Sequence, residues 1–310
     1  MKNIYEVQSA NKIKSAVVVV LFAVFVALAV YVLTQALGVY MGYQPGGLGF
    51  LGVALIISGA TTFISYYLSD RIVLGISHAR KANPVEDRLL TSVVENISIG
   101  TGIPKPKLYV IEDSAPNAFA TGRNPDHAVI CVTTGLLAKL NRTQLEGVMA
   151  HELTHVINYD TRLMSVVSVM VGLVALLADF FIRVRFFGGR KSSNRNSNQF
   201  GVLILVLGIV FAILSPIIAQ LIQLAISRRR EFMADAGSVY VTRQPQGLIS
   251  ALKIISQDKE PLEAANKATA HLYIVNPFKG KKQGTVSWFS KMFNTHPPIA
   301  ERIKTLKSMA

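Results

Sequence analysis

The residues whose types and spacing best suit chemistry are His151, Glu152 and His155, in the pentapeptide His-Glu-Leu-Thr-His. In a helix the two histidines share one face, because they lie four positions apart. Two imidazole nitrogens on adjacent turns can bind one Zn²⁺, and the neighbouring glutamate can act as a general base on water. The alternative is a helix with two surface histidines and an unrelated glutamate. The spacing favours zinc ligation by both histidines, with Glu152 as the catalytic residue.

A catalytic zinc site needs a third protein ligand. Glu231 is the candidate, although it follows three arginines at residues 228–230 and could simply pair with them. Asp235 lies one helical turn after Glu231 and can hydrogen-bond a ligand imidazole from behind. We expect Glu231 to complete the ligand set of a single Zn²⁺, and Asp235 to orient a histidine.

The flanking residues predict the helix that carries these histidines. Thr143-Gln-Leu-Glu146 matches a capping box, and the helix that it opens is expected to run to about Tyr159. An earlier helix is predicted to start at Asn83-Pro84. Short strands grouped before the main helix indicate an α+β domain with a small sheet. The predicted strands are residues 107–112, 118–121 and 127–133, and further predicted helices are residues 245–257, 261–272 and 298–308.

Two long stretches contain no charged residue, 55 residues from Ser15 to Ser69 and 32 residues from Asn196 to Ser227. Only 16% of the chain is charged, whereas soluble domains carry roughly 25%. A bilayer is therefore the expected solvent, and the fold class is a mainly helical integral membrane protein with an α+β domain. The segments long enough to span are residues 16–34, 48–68, 163–182 and 200–226.

Basic residues indicate how these segments are oriented. Three lysines precede the first segment, so the positive-inside rule places the N-terminus and residues 69–162 in the cytoplasm. The connection at residues 183–199 carries five basic residues and no acid, and Asp179 is costly in lipid. Two arrangements of the second pair remain, spanning helices or a hairpin on the cytoplasmic side. In both arrangements Glu231 lies on the same side of the membrane as His151, which favours Glu231 as a zinc ligand.

The cysteine count and the net charge limit other functions. Cys131 is the single cysteine, so the chain forms no internal disulfide, and its apolar neighbours indicate a buried strand. The net charge of +14 is concentrated in residues 163–310, where basic residues flank apolar segments. This distribution favours contact with anionic membrane lipids over binding of nucleic acid.

The motifs together resemble the HtpX family of bacterial membrane zinc metalloproteases, relatives of the peptidases that process CAAX prenyl proteins. The likeness covers essentially the whole chain and rests on residues 151–155 and 231–235, on Pro116-Asn-Ala-Phe-Ala-Thr-Gly122 and on Asn294-Thr-His-Pro-Pro298. It implies a zincin-like metallopeptidase with one Zn²⁺ on the two histidines of the pentapeptide and Glu231, and with Glu152 catalytic. It also implies a multi-pass protein of the bacterial plasma membrane that acts in membrane-protein quality control.

Two further sets of residues receive candidate roles. Asn117, Ala118, Phe119 and Ala120 are expected to form an edge strand on which a substrate backbone pairs, or alternatively an ordinary hairpin strand. His296 is expected to be catalytic by stabilising the oxyanion of the tetrahedral intermediate, or alternatively to mark a helix entry before two prolines.

The expected organisation has four parts, which are residues 1–68 (paired transmembrane helices), 69–162 (cytoplasmic metallopeptidase domain), 163–226 (second apolar pair) and 227–310 (cytoplasmic part with the third ligand). The leading function is a zinc endopeptidase that cleaves membrane or misfolded proteins at the cytoplasmic face. The alternatives are an intramembrane-cleaving or CAAX-type processing protease, and a non-enzymatic scaffold with structural zinc. A scaffold is disfavoured because structural zinc sites usually use several cysteines.

Overall fold

A computed structural model of the protein describes residues 4–40, 48–170, 172, 228–265, 269–278 and 297–309. Within these residues the chain is mostly helical, with one small mixed sheet. The predicted segment at residues 200–226, most of the segment at 163–182, the connection between them and His296 lie outside the described residues.

The N-terminal helix α1 (Ile4–Tyr40) has 37 residues and is about 55 Å long at 1.5 Å per residue. It therefore begins well before the apolar segment predicted from Ala16. Helix α2 (Leu48–Tyr67) packs along α1, and α3 (Ser69–Ile76) follows after a 72° bend. In the described part of the chain, Glu6–Val32 is long and apolar enough to cross a membrane, and the bent pair is a second candidate if it forms one span.

Four short strands form the sheet in the order β1-β2-β4-β3. They are β1 (Arg80–Lys81), β2 (Lys107–Ile111), β3 (Ala118–Thr121) and β4 (Val129–Thr133). Strands β2 and β4 pair in parallel, whereas β1 and β3 add antiparallel at the two edges. Apolar side chains cover both faces, so every residue of β3 and β4 is buried, including Cys131. The strand predicted at residues 118–121 is confirmed, and the strand predicted from residue 127 begins two residues later.

Helices pack on both faces of this sheet. They are α4 (Arg88–Thr101), α5 (Thr134–Lys139), α6 (Arg142–Ile157), α7 (residues 160–170), α8 (Arg228–Thr242), α9 (Pro245–Gln257) and α10 (Ile299–Lys307). All but α7 pack in the apolar core on one face, whereas Met164 of α7 packs with Phe119 and Cys131 on the other. Helix α6 packs against α4, α8, α9 and β3, so its residues 147–156 are all buried. Polar side chains in such a position need partners, which is the first structural sign of a site.

The start of α6 differs from the prediction by two residues. Asn141 is the N-cap, and its side chain accepts a hydrogen bond from the backbone N–H of Gln144. The Gln144 side chain accepts from the N–H of Asn141 in return. The capping box is therefore this pair, and the one predicted at Thr143 and Glu146 is wrong.

Two helix predictions fail because side chains bind the backbone in turns. Helix α4 begins at Arg88 and not at Asn83, because the Asn83 side chain accepts from Val85 N–H while Asp87 accepts from Asn83 N–H. The predicted helix at residues 261–272 is also wrong over its described residues. There, the Asp113 carboxylate accepts from the N–H groups of residues 263 and 264, and a 3₁₀ turn covers residues 270–272.

Glycines allow α8 and α9 to approach α6 closely. A Cβ at Gly147 would lie 2.5 Å from the backbone nitrogen of Leu248 in α9, and a Cβ at Gly237 would lie 2.6 Å from the Thr154 hydroxyl. Ser238 of α8 also donates a 2.8 Å hydrogen bond to the carbonyl oxygen of Gly147. This packing fixes α8 against the face of α6 that carries the two histidines.

Candidate metal centre

Three predicted ligands meet where α6 and α8 cross. The Nε2 atoms of His151 and His155 lie 3.2 Å apart. One Glu231 oxygen lies 3.5 Å from Nε2 of His155, and the other lies 3.7 Å from Nε2 of His151. All three side chains are buried, and their candidate donor atoms lie within 4.8 Å of one another. The structure thus brings together residues that are up to 80 positions apart in the sequence.

These separations fit a zinc ion. Two zinc bonds of about 2.05 Å at a tetrahedral angle place the donor atoms about 3.3 Å apart. The two imidazole nitrogens are 3.2 Å apart, close to that value, and each lies 3.5–3.7 Å from a different oxygen of Glu231, so either oxygen could serve as the third donor. Two imidazole nitrogens and one carboxylate also form a donor set that catalytic zinc sites use. The residues present therefore fit Zn²⁺ in both geometry and chemistry.

A carboxylate supports each histidine from behind. Asp235 Oδ1 lies 3.0 Å from Nδ1 of His151, and Asp160 Oδ2 lies 3.0 Å from Nδ1 of His155. With a metal bound, each Nδ1–H would donate to its carboxylate, and each Nε2 lone pair would then be available to the shared site. Asp235 lies where the sequence predicted, whereas Asp160 was missed. Its signal was its place five residues after His155.

The electrostatic surroundings shift the pKa values of the two imidazoles in opposite directions. Burial and the nearby Arg302 guanidinium lower the pKa of His151 to about 4, so this ring is neutral. Burial alone would also lower the pKa of His155, but hydrogen bonds with Asp160 and Glu231 outweigh it and raise the pKa to about 10. In the metal-free protein His155 therefore carries a proton that a bound metal must displace.

Arg302 of α10 is a residue of the site that sequence reasoning missed. Its guanidinium binds Asp235 through two hydrogen bonds of 2.6 and 2.9 Å and lies 3.4 Å from Glu231. Burial would lower its pKa, but the carboxylates of Asp235 and Glu231 raise the pKa above its ordinary value. Arg302 has no exposed surface, so its charge acts directly on these two acids.

Glu152 lies beside the ligands and lines the same small cavity. The other walls are mostly apolar and come from Ala120 of β3, Met164 of α7 and Ile274. Glu152 is 3% exposed, and the three candidate ligands are 1–5% exposed. A carboxylate and a metal site would therefore act in a nearly dry environment, where charge interactions are strong.

The predicted substrate strand lies at the sheet edge, where its own chain covers part of it. The carbonyl oxygen of Ala118 accepts a 3.0 Å hydrogen bond from Ile274 N–H, and the Asn117 side chain donates to the carbonyl of Val275. The side chain of Phe119 points to the face of the sheet opposite α6, where its ring packs against Tyr273. The predicted catalytic His296 lies outside the described residues.

The chain matches one family model and is similar to several known proteins. The family described as Peptidase family M48 matches residues 84–310. The "Protease HtpX homolog" of Thermoanaerobacter pseudethanolicus is 41% identical over 309 residues, which cover 99% of this chain and 98% of that one. The protein of the same name from Dictyoglomus thermophilum is 42% identical over 98% of this chain and 94% of its own length. The crystal structure of S. mikatae Ste24p covers 97% of this chain and 67% of its own, at 16% identity and a TM-score of 0.48.

Proposed function

Since the chain belongs to peptidase family M48 and is a metalloprotease, we propose that it is a zinc-dependent endopeptidase held in a membrane. One Zn²⁺ would be held by His151, His155 and Glu231. The observation that carries the proposal is the meeting of these three buried donor groups within 4.8 Å of one another beside Glu152. A scaffold with structural zinc would need neither a further carboxylate nor a cavity at the metal.

The protein's own groups divide the work of peptide hydrolysis. When bound, Zn²⁺ supplies Lewis-acid polarisation of the substrate carbonyl and of water. Glu152 takes a proton from the attacking water as the new C–O bond forms, and returns it to the amine nitrogen as the C–N bond breaks. Asp235 and Asp160 hold the two imidazoles by their Nδ1 atoms, so neither ring turns during the reaction. His296 is proposed as a donor to the developing oxyanion.

Protein substrates would bind by adding a strand to β3. Strand β3 is at the edge of the sheet, and Ala120 borders the cavity that contains Glu152. An extended substrate could pair with the backbone of residues 117–120 and pass the metal. Ile274 would then have to release the carbonyl of Ala118. Misfolded membrane proteins, whose backbones are unpaired, suit such a site, which supports a role in quality control.

The proposed location of the site is the cytoplasmic membrane surface. The first turns of α1 contact the end of α6 and the residue that follows it, through Gln8 and Asn11. The metal site therefore lies on the same side as the start of α1, which carries Lys12 and Lys14. The positive-inside rule assigns that side to the cytoplasm, and the basic residues would contact anionic lipids.

Activity measured together with metal content tests the proposed function. The purified full chain in detergent should cleave an unfolded protein, lose activity on zinc removal and regain it on zinc addition. Glu152→Gln should bind zinc as the natural chain does while turnover falls by about 10²–10⁴-fold. Glu146→Gln is the matched control, because Glu146 is a partly exposed glutamate on the same helix. A Glu152→Gln enzyme with normal turnover would overturn the assignment.

A cysteine scan tests the proposed topology. In a Cys131→Ser background, a cysteine at Ser193 in the basic connection can be labelled by an impermeant reagent in intact cells. We propose that residues 163–226 form a spanning pair between two cytoplasmic parts, residues 69–162 and 227–310, which predicts labelling from outside. Labelling only after lysis would contradict the spanning pair and support the cytoplasmic-side hairpin.

A further inference from the structure

The turn that follows α6 contains a residue in an unfavourable backbone conformation. Helix α6 ends at Ile157, the chain turns through Asn158 and Tyr159, and α7 begins at Asp160. Tyr159 has φ of 60°, a left-handed conformation that costs energy for a residue with a bulky side chain. The turn places the Asp160 carboxylate against His155, so its geometry bears directly on the metal site.

Three residues on one face of α1 hold this turn. Gln8 donates a 2.9 Å hydrogen bond to the carbonyl oxygen of Ile157, the last residue of α6. Asn11 donates a 2.9 Å bond to the carbonyl oxygen of Asn158. The Lys12 ammonium lies 4.2 Å from the centre of the Tyr159 ring. Positions 8, 11 and 12 follow helical spacing, so one face of α1 contacts successive residues of the turn.

Asn11 also reaches the carboxylate that supports the metal ligand. Its amide group donates a 2.8 Å hydrogen bond to Oδ1 of Asp160, while Oδ2 of Asp160 lies 3.0 Å from Nδ1 of His155. Asn11 is 3% exposed and Asp160 is 1% exposed. One oxygen of the Asp160 carboxylate therefore contacts the imidazole of His155, and the other accepts a hydrogen bond from α1. The Arg230 guanidinium adds a longer ionic contact of 3.6 Å to the same carboxylate.

We propose that Asn11 is a positioning residue for the metal site. By holding Asp160 and the turn, it fixes the ring of His155 in the orientation that presents Nε2 to the metal. The apolar N-terminal helix would then be part of the metal centre and not only an anchor. This inference rests on the proposed zinc site at His151, His155 and Glu231, and assigns a new contributor to it.

The expected effect is on metal affinity. Removing a group that orients a metal ligand typically costs 10–100-fold in affinity or activity. Asn11→Ala removes the amide and leaves Asp160 able to move away from His155, so the zinc dissociation constant should rise by about 10–100-fold. Ser9→Ala is the matched control, because Ser9 is an exposed polar residue on the same turns of α1. It should leave the constant within about twofold.

A double-mutant cycle shows whether Asn11 acts through Asp160. Zinc dissociation constants of the full chain in detergent are measured by competition with a chromophoric chelator. In an Asp160→Ala background, adding Asn11→Ala should change the constant by less than about twofold, because the group that Asn11 positions is gone. If the two substitutions changed the zinc dissociation constant independently, Asn11 would not act through Asp160. An Asn11→Ala chain with the natural zinc affinity would also overturn the inference.

A measurement on the natural chain covers the case in which a variant does not fold. Because coupling is reciprocal, removing zinc should loosen the start of α1 and speed amide hydrogen exchange in residues 6–15. The apolar part of α1 from Val18 onward serves as internal control. Unchanged exchange in residues 6–15 would overturn the inference while zinc binding itself stands. A natural chain that binds no zinc would instead overturn the proposed function on which the inference rests.

Discussion

Replacing Arg302 should reveal how strongly the buried acids of the site depend on one cation. Its guanidinium donates two hydrogen bonds to Asp235 and lies 3.4 Å from Glu231, and all three residues are at most 3% exposed. Arg302→Ala would leave two carboxylates buried side by side without the positive charge of this guanidinium. Asp235 would also lose the partner that holds it against His151.

The magnitude follows from the burial of this ion pair. Removing one partner of a buried pair costs about 3–5 kcal/mol, because the other charge is left uncompensated. The unfolding entropy of about 2.1 cal/mol/K per residue means that each kcal/mol lowers the melting temperature of a 310-residue chain by about 1.5 °C, which predicts a fall of about 5–8 °C. Arg302→Lys should lie between alanine and the natural chain, because an ammonium keeps the charge but not the two-pronged geometry.

Thermal unfolding of the zinc-free chains in detergent measures this effect without a contribution from metal binding. Lys307→Ala is the matched control, since Lys307 is an exposed cation on the same helix. An Arg302→Ala chain that melts within about 2 °C of the control would refute the reasoning, because the acids would then not need the guanidinium.

Three further predictions address the ligands and the packing around them. Glu231→Ala should weaken zinc binding more than Glu152→Gln does, and equal zinc retention after mild chelation would point to a different third ligand. Asp235→Ala should raise the zinc dissociation constant by about 10–100-fold, which chelator competition would measure, and an unchanged constant would exclude an orienting role. Gly147→Ala should destabilise the chain by about 1–3 kcal/mol, because its Cβ would meet the backbone of α9. Gly100→Ala, where space is open, should not lower the melting temperature, and equal melting of both variants would contradict the packing argument.

The ligand set was accessible from the sequence because short-range rules define it. Helical periodicity places His151 and His155 on one face, and the same periodicity places Asp235 one turn after Glu231. The meeting of the two helices was predicted from their expected place on one side of a membrane and from the family resemblance, because no local pattern pairs them. Sequence patterns likewise give the position of β3, since strands have a short local signature.

The supporting residues could not be found in this way because their contacts are long-range. Arg302 is 67 positions from Asp235, and Asn11 is 149 positions from Asp160. Neither residue belongs to a sequence motif of characteristic spacing, so only the tertiary packing identifies its partner. The mistaken helix at residues 261–272 has a related cause, because the distant Asp113 carboxylate captures the N–H groups that a helix would use.

X-ray absorption at the zinc edge, on the full zinc-loaded chain, tests the central claim most directly. Ligation by the two histidines and Glu231 predicts one zinc per chain, with two imidazole nitrogens at about 2.0–2.1 Å and the remaining ligands oxygen. No sulfur is expected at about 2.3 Å, because the single cysteine, Cys131, is buried in β4. A shell containing sulfur, or one made of oxygen alone, would contradict ligation by His151, His155 and Glu231.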